Sequence, residues 1–279
     1  MLKIDNLCKR YANFRLEDVS FDVPDGAVVG LIGENGAGKS TVIKSILGAV
    51  HPDGGEILFD GKKIEALSKS DRQKIAFVLD DVGLPGELNP NMLGKVMSGV
   101  FEKWDAEKFR GFVREFSLPE KKPLKEFSKG MKMKTAIAVA LSYESELLIL
   151  DEPTDGLDPV VRSDILGMLY DYNRDGRRAV LLSSHITADL EKICDYIVYL
   201  HEGKVVFDEE KDALLDKYAV YGADERQLAE LDKGAVVRIL RREYGVDILA
   251  VKEKMPQGFG FRPACLDDIM LFFAKGERI

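Results

Sequence analysis

The sequence predicts an α/β fold built on a mostly parallel core sheet. Three apolar runs, at 27–32, 147–150 and 179–182, have the composition of strands buried in such a sheet. Two of them end in polar segments, the glycine-rich turn at 33–41 and the Asp-Glu pair at 151–152. Because ligands of α/β proteins bind outside the carboxyl ends of the strands, both segments are expected at one edge of the sheet.

The composition excludes several classes of protein. The chain has 279 residues, which suits one large domain or one domain with an appendage, and a formal net charge of −8. That charge argues against a general nucleic-acid or anionic-membrane surface, so no nucleic-acid partner is expected. Cys8, Cys194 and Cys265 lie in no metal-binding spacing, which argues against a disulfide framework or structural zinc and is typical of a reducing cytosol. With no signal-peptide pattern and no apolar run near the roughly 18 residues of a spanning helix, a soluble or peripheral protein is expected.

The N-terminal residues predict three short strands, at 2–8, 16–23 and 27–32, with a Pro-Asp-Gly turn between the last two. Tyr11 lies in the loop between the first two strands. An aromatic ring in such a loop can stack on an adenine base, or it can be an ordinary half-buried loop residue. The local sequence leaves both interpretations open.

The turn after the third strand has the pattern G-x-x-x-x-G-K-[ST] and leads into a predicted helix at 41–47. Gly36 and Gly38 allow backbone conformations that direct successive N–H groups at a phosphate oxygen, at the positive end of that helix. Lys39 adds a positive charge for the β- and γ-phosphates, and the hydroxyl of Ser40 is placed to bind Mg²⁺. The residues predicted to hold the nucleotide here are Gly33, Asn35, Gly36, Ala37, Gly38, Lys39, Ser40 and Thr41.

The middle of the chain predicts strands at 56–60 and 75–79, and then a mostly helical stretch from 90 to 143. Apolar residues that recur at helical spacing are expected to form the core of an inserted helical subdomain at about 80–143. They are Met92, Leu93, Val96, Met97, Val100, Phe101, Phe109, Phe112, Val113 and Phe116.

Two positions in this part of the chain are candidate ligand contacts. The strand at 75–79 ends at Asp80-Asp81, where a carboxylate can meet a ligand, with a solvated loop as the alternative. Ser128 is placed as the N-cap of a helix that runs to about 143, and the free amides and lysines of its first turn can attract an anion.

The pair Asp151-Glu152 is a stronger signal, because a buried strand seldom ends in two adjacent acids. In enzymes that have the phosphate-binding turn, the first acid reaches the Mg²⁺ ion, commonly through water. The second can then accept a hydrogen bond from the water that attacks the γ-phosphate. The alternative is a capped strand end in a core. His185 follows the strand at 179–182 at the same edge, where it can contact the γ-phosphate or be an ordinary polar residue.

The later part of the chain predicts a helix at 159–173, a hairpin at 196–207 and a short helix at 209–216. The composition changes near Lys217, so we expect a main domain at 1–216 and an accessory region at 217–279 that forms a small α/β appendage.

The last segment of that appendage, 266–274, is amphipathic. Its apolar face, formed by Leu266, Ile269, Met270 and Phe273, is expected to pack on the body of the protein, with a membrane surface as the alternative.

Taken together, the motifs resemble the ATP-binding subunit of ATP-binding cassette (ABC) transporters over roughly residues 1–215. The turn at 33–41 matches the P-loop of that family, and 147–153 matches its second nucleotide motif, with Glu152 at the catalytic glutamate. Ser184-His185 resembles the switch histidine, and Gly156-Leu157-Asp158 resembles the loop that contacts a partner subunit. Tyr11 falls at the position of the aromatic residue that stacks on adenine.

Two departures from the family pattern stand out. Phe127-Ser128-Lys129-Gly130-Met131 stands where the family signature L-S-G-G-Q belongs. It keeps Ser128 and Gly130, which contact the γ-phosphate in the family, but has Lys129 for the first glycine and Met131 for the glutamine. Asp80 stands at a glutamine position, and since a carboxylate is a harder ligand for Mg²⁺ than an amide, we expect Asp80 to bind Mg²⁺ or a water on it.

The resemblance implies a P-loop ATPase fold with an N-terminal antiparallel β-subdomain, and Mg²⁺ and ATP at the site. It also implies that Asp158, Ser128 and Gly130 contact the nucleotide, and that a second ATPase subunit, a copy or a paralogue, pairs with this one. A separate transmembrane permease is expected to dock on residues 80–127, which would place the chain on the cytoplasmic face of the membrane.

The resemblance implies ATP hydrolysis coupled to transport. Within that family, the sequence looks most similar to subunits of exporters of the antibiotic or peptide-resistance type. One alternative is a soluble cassette ATPase that acts as a switch in translation or DNA maintenance. Those relatives generally carry two cassettes, coiled-coil insertions or zinc modules, which this sequence lacks. A non-hydrolysing regulatory cassette is another alternative, and the intact Glu152 and His185 argue against it.

Overall fold

The structure is a computed structural model that describes residues 1–243, 245–256 and 260–278. Within these residues the backbone forms three β-sheets. The strands are β1 (Leu2–Arg10), β2 (Arg15–Val23), β3 (Val28–Ile32), β4 (Gly54–Phe59), β5 (Lys62–Lys63), β6 (Ile75–Val78), β7 (Leu147–Asp151), β8 (Ala179–Ser184), β9 (Tyr196–His201), β10 (Lys204–Glu210), β11 (Tyr218–Ala223), β12 (Val236–Arg242), β13 (Gly245–Val251) and β14 (Phe261–Pro263). The helices are α1 (Lys39–Ile46), α2 (Lys69–Arg72), α3 (Pro90–Val100), α4 (Ala106–Glu115), α5 (Lys129–Leu141), α6 (Pro159–Asn173), α7 (Thr187–Ile193), α8 (Lys211–Lys217), α9 (Glu225–Glu230) and α10 (Leu266–Lys275).

The central sheet has the strand order β10-β9-β3-β8-β7-β6. Its pairings are parallel except at the edge, where β10 returns antiparallel to β9 as the predicted hairpin. The residues of β3, β7 and β8 are buried along their whole length, as the apolar runs predicted. The register pairs Asp151 with Ser183 and Ile32 with Ser184, so the polar segments that follow these strands meet at one edge.

The N-terminal strands form a separate antiparallel sheet with the order β2-β1-β4-β5. This confirms the predicted N-terminal antiparallel subdomain. The third predicted strand, β3, lies in the central sheet and leads directly into the phosphate turn.

The predicted helical stretch divides into α3, α4 and α5. Leu93, Phe109 and Val113 form a small core with the buried residues Ala138 and Val139 of α5. The other face of α5 packs into the main core beside the central sheet. α5 therefore joins the helical part of the chain to the sheet.

The prediction that all the apolar residues of α3 lie in a core is wrong in part. Leu93 is buried and Met97 packs against the same core, but Met92, Val96 and Val100 are 45%, 47% and 51% exposed. The helix packs against the rest of this chain on one side only, so its second apolar face stays exposed. The exposed stripe lies on its other side.

The C-terminal residues form an antiparallel sheet with the order β12-β13-β11-β14, of which neither β11 nor β14 was predicted. Leu266 and Ile269 of α10 are fully buried in the main core, which confirms packing on the body of the protein. Phe272 is also buried there, whereas Met270 and Phe273 are only partly buried. The division at 216 remains a prediction, because one continuous core includes residues on both sides of it.

Within the described residues, no helix has both the length and the apolar character that crossing a bilayer requires.

Candidate active site

The phosphate turn has the backbone geometry that its glycines were predicted to supply. Gly36 and Gly38 have φ values of 87° and 112°, in the region that favours glycine. A Cβ on Gly33 would lie 2.3 Å from the carbonyl oxygen of Leu200, so this position has no room for a side chain. α1 begins at Lys39, two residues earlier than predicted, with Gly38 as its N-cap. The free amides of the turn therefore open directly at the positive end of α1.

Lys39 is buried at the base of this turn and is 6% exposed. Its Nζ donates to the carbonyl oxygens of Gly33 at 2.8 Å and Glu34 at 3.3 Å, and lies 3.2 Å from Oε1 of Glu152. The ammonium is thus held at a fixed point where the turn and the strand β7 meet. A phosphate that enters the turn would meet a preset positive charge, which fits the predicted role of Lys39.

Asp151 and Glu152 leave β7 in different directions. Asp151 is buried, and its Oδ1 accepts a hydrogen bond from Oγ of Ser183 at 2.6 Å. Glu152 has a φ of 50°, which is uncommon for a residue other than glycine, and backbone strain of this kind can be part of a functional site. The N–H of Glu152 donates to Oγ of Ser183 at 3.1 Å, so one serine of the neighbouring strand orients both acids.

Glu152 and His185 form a close pair. Nδ1 of His185 lies 2.8 Å from Oε2 of Glu152, and the backbone N–H of His185 donates to the same oxygen at 3.2 Å. On its other side, Nε2 of His185 lies 3.7 Å from Oδ1 of Asp155. The carboxylate and the imidazole therefore form one hydrogen-bonded pair, in which each group can act on a reacting group that comes within hydrogen-bond reach.

Lys129 lies between Asp80 and Asp155. Its Nζ is 3.4 Å from Oδ1 of Asp80 and 3.4 Å from Oδ2 of Asp155. Burial by itself would lower the pKa of Lys129, but the two carboxylates raise it above its usual range. The Lys129 side chain therefore stays positively charged at neutral pH.

These residues surround a cleft of about 760 Å³, a volume within the range of small-molecule sites. The residues that line it are Asn13, Phe14, Glu34, Asn35, Gly36, Gly38, Lys39, Ser40, Thr41, Asp80, Glu152, Asp155 and His185. The fold thus brings most of the predicted phosphate-binding residues together with both predicted catalytic residues. The remaining members of the turn, Gly33 and Ala37, lie behind the lining residues.

Five other predicted residues do not line this cleft, and one of them is the buried Asp151. Tyr11 is half-exposed, and its ring stacks at 6.4 Å on Phe14, which does line the cleft. Ser128 caps α5 by accepting a hydrogen bond from Met131, and Asp158 caps α6. Gly130, in the first turn of α5, lies beside Val161 of α6. Ser128, Gly130 and Asp158 thus occupy the adjacent starts of two helices, outside the cleft of their own chain.

The donor set suits Mg²⁺ bound together with phosphate rather than a metal held by protein alone. Among the described residues, no group of three or more His, Cys, Asp or Glu side chains is arranged to hold a metal ion. The three predicted ligands are the Ser40 hydroxyl and the carboxylates of Asp80 and Asp151. Mg²⁺ commonly binds one or two carboxylates and completes its shell with phosphate oxygens and water, so this oxygen set fits it.

The sequence interpretation missed Asp155, Phe14 and Ser183 as parts of the site. Asp155 had a local signal, because it is an acid three residues after Glu152; in the structure its N–H donates to the carbonyl oxygen of Glu152 at 3.2 Å, and such a turn keeps the two side chains close. Phe14 and Ser183 had none, since an aromatic residue before a strand and a serine within one are ordinary in sequence.

Comparison with known proteins gives one consistent answer. The sequence profile of the ABC transporter family matches residues 16–155. A lantibiotic transport ATP-binding protein of Streptococcus pyogenes is 36% identical over 218 residues, which are 76% of this chain and 92% of the relative. A bacitracin transport ATP-binding protein of Enterococcus faecalis is 33% identical over 74% of this chain and 68% of its own length.

The fold comparison agrees. A solved ATP-binding subunit of an ABC transporter superposes with a TM-score of 0.71 at 32% identity, over 82% of this chain and 93% of that one. This confirms the predicted P-loop ABC fold. The relatives are transport proteins, which does not support the alternative of a soluble switch in translation or DNA maintenance. The chain belongs to the ABC transporter family, as an ATP-binding and ATP-hydrolysing transporter subunit.

Proposed function

We propose that this chain drives the export of a peptide or peptide-like antibiotic by closing on ATP as a dimer and reopening after hydrolysis. The observation that carries the catalytic part of the proposal is the contact of Glu152 with both Lys39 and His185 at the phosphate turn. It joins the predicted phosphate ligand, the predicted base and the predicted γ-phosphate contact in one cleft.

In the hydrolytic step, Glu152 orients the attacking water and accepts a hydrogen bond from it. His185, which is held by the same carboxylate, contacts the γ-phosphate. Lys39 and the amides of the turn stabilise the charge on the phosphates. Ser183 supports this arrangement from the neighbouring strand β8, because its hydroxyl donates to the carboxylate of Asp151 and accepts from the backbone N–H of Glu152.

Ser40, Asp151 and Asp80 are the residues that would hold Mg²⁺. Bound there, the ion would neutralise charge on the β- and γ-phosphates. Ser183 already bonds one oxygen of Asp151, which leaves the second oxygen for a water or a metal. Asp80 shares its Oδ1 with Lys129, so its second oxygen is the one available for a ligand.

The second subunit covers the nucleotide with the start of its α5. Ser128 and Gly130 lie away from the cleft of their own chain and at the exposed end of a helix, where free amides attract an anion. Asp158 begins the neighbouring helix and contacts the partner chain. The partner is a second copy or a paralogue, and two nucleotides between two chains hold the dimer closed.

A separate permease docks on the helical part of the chain. The exposed residues Met92, Val96 and Val100 form a stripe along α3. Beside it, a groove of about 300 Å³ lies between the end of β6 and the helices, with Phe77 and Met97 among its lining residues. Phe77 is 52% exposed. An apolar stripe next to an apolar groove favours a protein partner over solvent, and it would hold the chain peripherally on the cytoplasmic face of the membrane.

The choice of cargo rests on the relatives. The two named above are transport proteins for a lantibiotic and for bacitracin. We infer the same broad class of cargo for this chain, with export as the direction.

Replacing Glu152 with Gln tests the mechanism. The variant keeps the shape of the side chain and loses the charge that orients water, so turnover is expected to fall by about 100-fold or more while ATP binding persists. ATP should then hold the chain as dimers on a sizing column, because the closed state is no longer cleared by hydrolysis. Normal turnover, or a variant that stays monomeric with ATP, contradicts the proposed mechanism.

A further inference from the structure

Two positions at which the sequence departs from its family meet in space. Asp80 follows β6 and Lys129 begins α5, and Nζ of Lys129 lies 3.4 Å from Oδ1 of Asp80. The same ammonium lies 3.4 Å from Oδ2 of Asp155. An acid and a base that replace neutral residues at two separate motifs thus form one ion-pair cluster, which we call the Asp80-Lys129-Asp155 bridge.

The bridge matters for binding because both of its acids line the phosphate cleft, whereas Lys129 does not. ATP brings about four negative charges to that cleft, and uncompensated carboxylates would repel it. Lys129 contacts both acids, and its single positive charge offsets one of their two negative charges. All three side chains are about half-exposed, at 46%, 54% and 41% for Lys129, Asp80 and Asp155, so water screens the effect and its size is moderate.

The bridge also reaches the catalytic pair. Asp155 offers Oδ2 to Lys129 and has its Oδ1 3.7 Å from Nε2 of His185. His185 in turn holds Glu152 through Nδ1. Without Lys129, Asp155 would lose its ammonium partner, and its carboxylate would attract the imidazole of His185 away from Glu152.

The path of the Lys129 side chain fits this arrangement. Its stem crosses the turn at Gly156, which has a φ of 65°, and Nζ would lie 3.5 Å from a Cβ at that glycine. The side chain is therefore laid against the segment that follows Glu152 and does not extend freely from α5.

We propose that Lys129 is a positioning residue for ATP hydrolysis: it compensates the charge of Asp80 and Asp155 beside the phosphate cleft and keeps Asp155 from capturing His185. The inference rests on the roles proposed for Glu152 and His185. It makes the start of α5 act on the cleft of its own chain, in addition to the partner's nucleotide.

Steady-state ATP hydrolysis by the purified chain, in excess Mg²⁺, tests this first with three single variants. Lys129→Met removes the charge and keeps the length, and it is expected to raise KM for ATP by about three- to tenfold and to lower kcat several-fold. Lys129→Arg keeps the charge and should stay within about twofold of the wild type. Lys134→Met is the control, because it breaks an ion pair between the same helix and Asp164 that does not touch the cleft. It should leave KM unchanged, and thermal unfolding of each variant reports any loss of fold.

The decisive comparison repeats Lys129→Met in an Asp155→Asn background. Asp155 is chosen because it is not a predicted metal ligand. If Lys129 acts by compensating Asp155, its removal should then raise KM by only about twofold or less. An equal effect of Lys129→Met in both backgrounds would show that Lys129 binds the nucleotide directly, and this would overturn the proposal.

Wild-type kinetics for Lys129→Met would overturn it as well. The Glu152→Gln variant, measured in parallel, separates this result from the proposed function. Full turnover in Glu152→Gln removes the catalytic mechanism, whereas a dead Glu152→Gln beside a normal Lys129→Met removes only the role of Lys129.

Discussion

The phosphate cleft and the start of α5 both carry residues predicted to bind ATP, but they are built differently. In the cleft, Lys39 and Glu152 are only 6% and 14% exposed; Lys39 is held by carbonyl oxygens of the phosphate turn, and the backbone N–H of Glu152 is held by the hydroxyl of Ser183. At the start of α5, Ser128 is exposed and Lys129 is half-exposed. The difference follows from position, because the cleft lies at the edge of a sheet with buried strands and α5 starts at the surface.

The comparison teaches where substitutions should matter most. Removing a buried charge leaves its partner uncompensated in a poorly solvated place, whereas removing an exposed group is largely made good by water. We therefore expect large effects in the cleft and small ones at α5, unless a second molecule covers α5.

The largest effect is expected for Lys39→Met. The loss of a buried charge of this kind costs about 3 kcal/mol or more, which corresponds to an affinity for ATP lower by about 100-fold. Titration with a fluorescent ATP analogue measures it. Lys44→Met is the matched control, since Lys44 is an exposed lysine of the same helix. Equal affinities for the two variants would mean that burial does not make Lys39 special.

His185→Ala is expected to lower kcat by about 10- to 100-fold and to change ATP affinity little, because the imidazole, held by Glu152, is proposed to contact the γ-phosphate during hydrolysis. Steady-state hydrolysis separates the two constants. His51→Ala, at an exposed position that does not line the cleft, should leave both constants unchanged. A normal kcat for His185→Ala would remove the imidazole from the mechanism.

The Tyr11→Ala variant tests whether an exposed ring beside the cleft contributes to ATP binding. Loss of a base-stacking ring is expected to raise KM for ATP by about fivefold or more, with kcat unchanged. Tyr170→Ala, at an exposed position on α6, is the control and should have no effect. Phe14→Ala identifies the ring that stacks: a normal KM for Tyr11→Ala beside a raised KM for Phe14→Ala would transfer the role to Phe14.

The smallest effect is expected for Ser128→Ala. It removes the N-cap of α5, which should cost about 1 kcal/mol of folding stability. Ser68→Ala removes the corresponding cap of α2 and is the matched control. In the Glu152→Gln background, ATP-held dimers should weaken by about fivefold with Ser128→Ala and should not change with Ser68→Ala. Equal dimerisation in both would mean that α5 does not cover a nucleotide.

The cleft could be predicted from sequence in large part, and for a physical reason. The phosphate turn is one contiguous segment whose glycines and lysine act through local backbone geometry, so residues 33–41 carried the whole signal. The pairs at 151–152 and Ser184-His185 follow buried strands, and parallel strands in one sheet bring their carboxyl ends to one edge. The predicted strands, turn and acids therefore met where expected.

The surface of α3 was mispredicted for the opposite reason. Periodicity reports which residues are apolar, and it cannot report how many sides of a helix find a neighbour. Leu93 packs against neighbours within the chain, whereas Met92, Val96 and Val100 remain exposed.

The sequence by itself determined the family, the central sheet and the phosphate turn, because each depends on short patterns or on the alternation of apolar and polar runs. Only the tertiary structure decided that Asp80, Lys129 and Asp155 form one ion-pair cluster and that Phe14 lines the cleft. Those contacts join residues far apart in the chain, so their existence depends on how the helices and strands pack and leaves no trace in any local pattern.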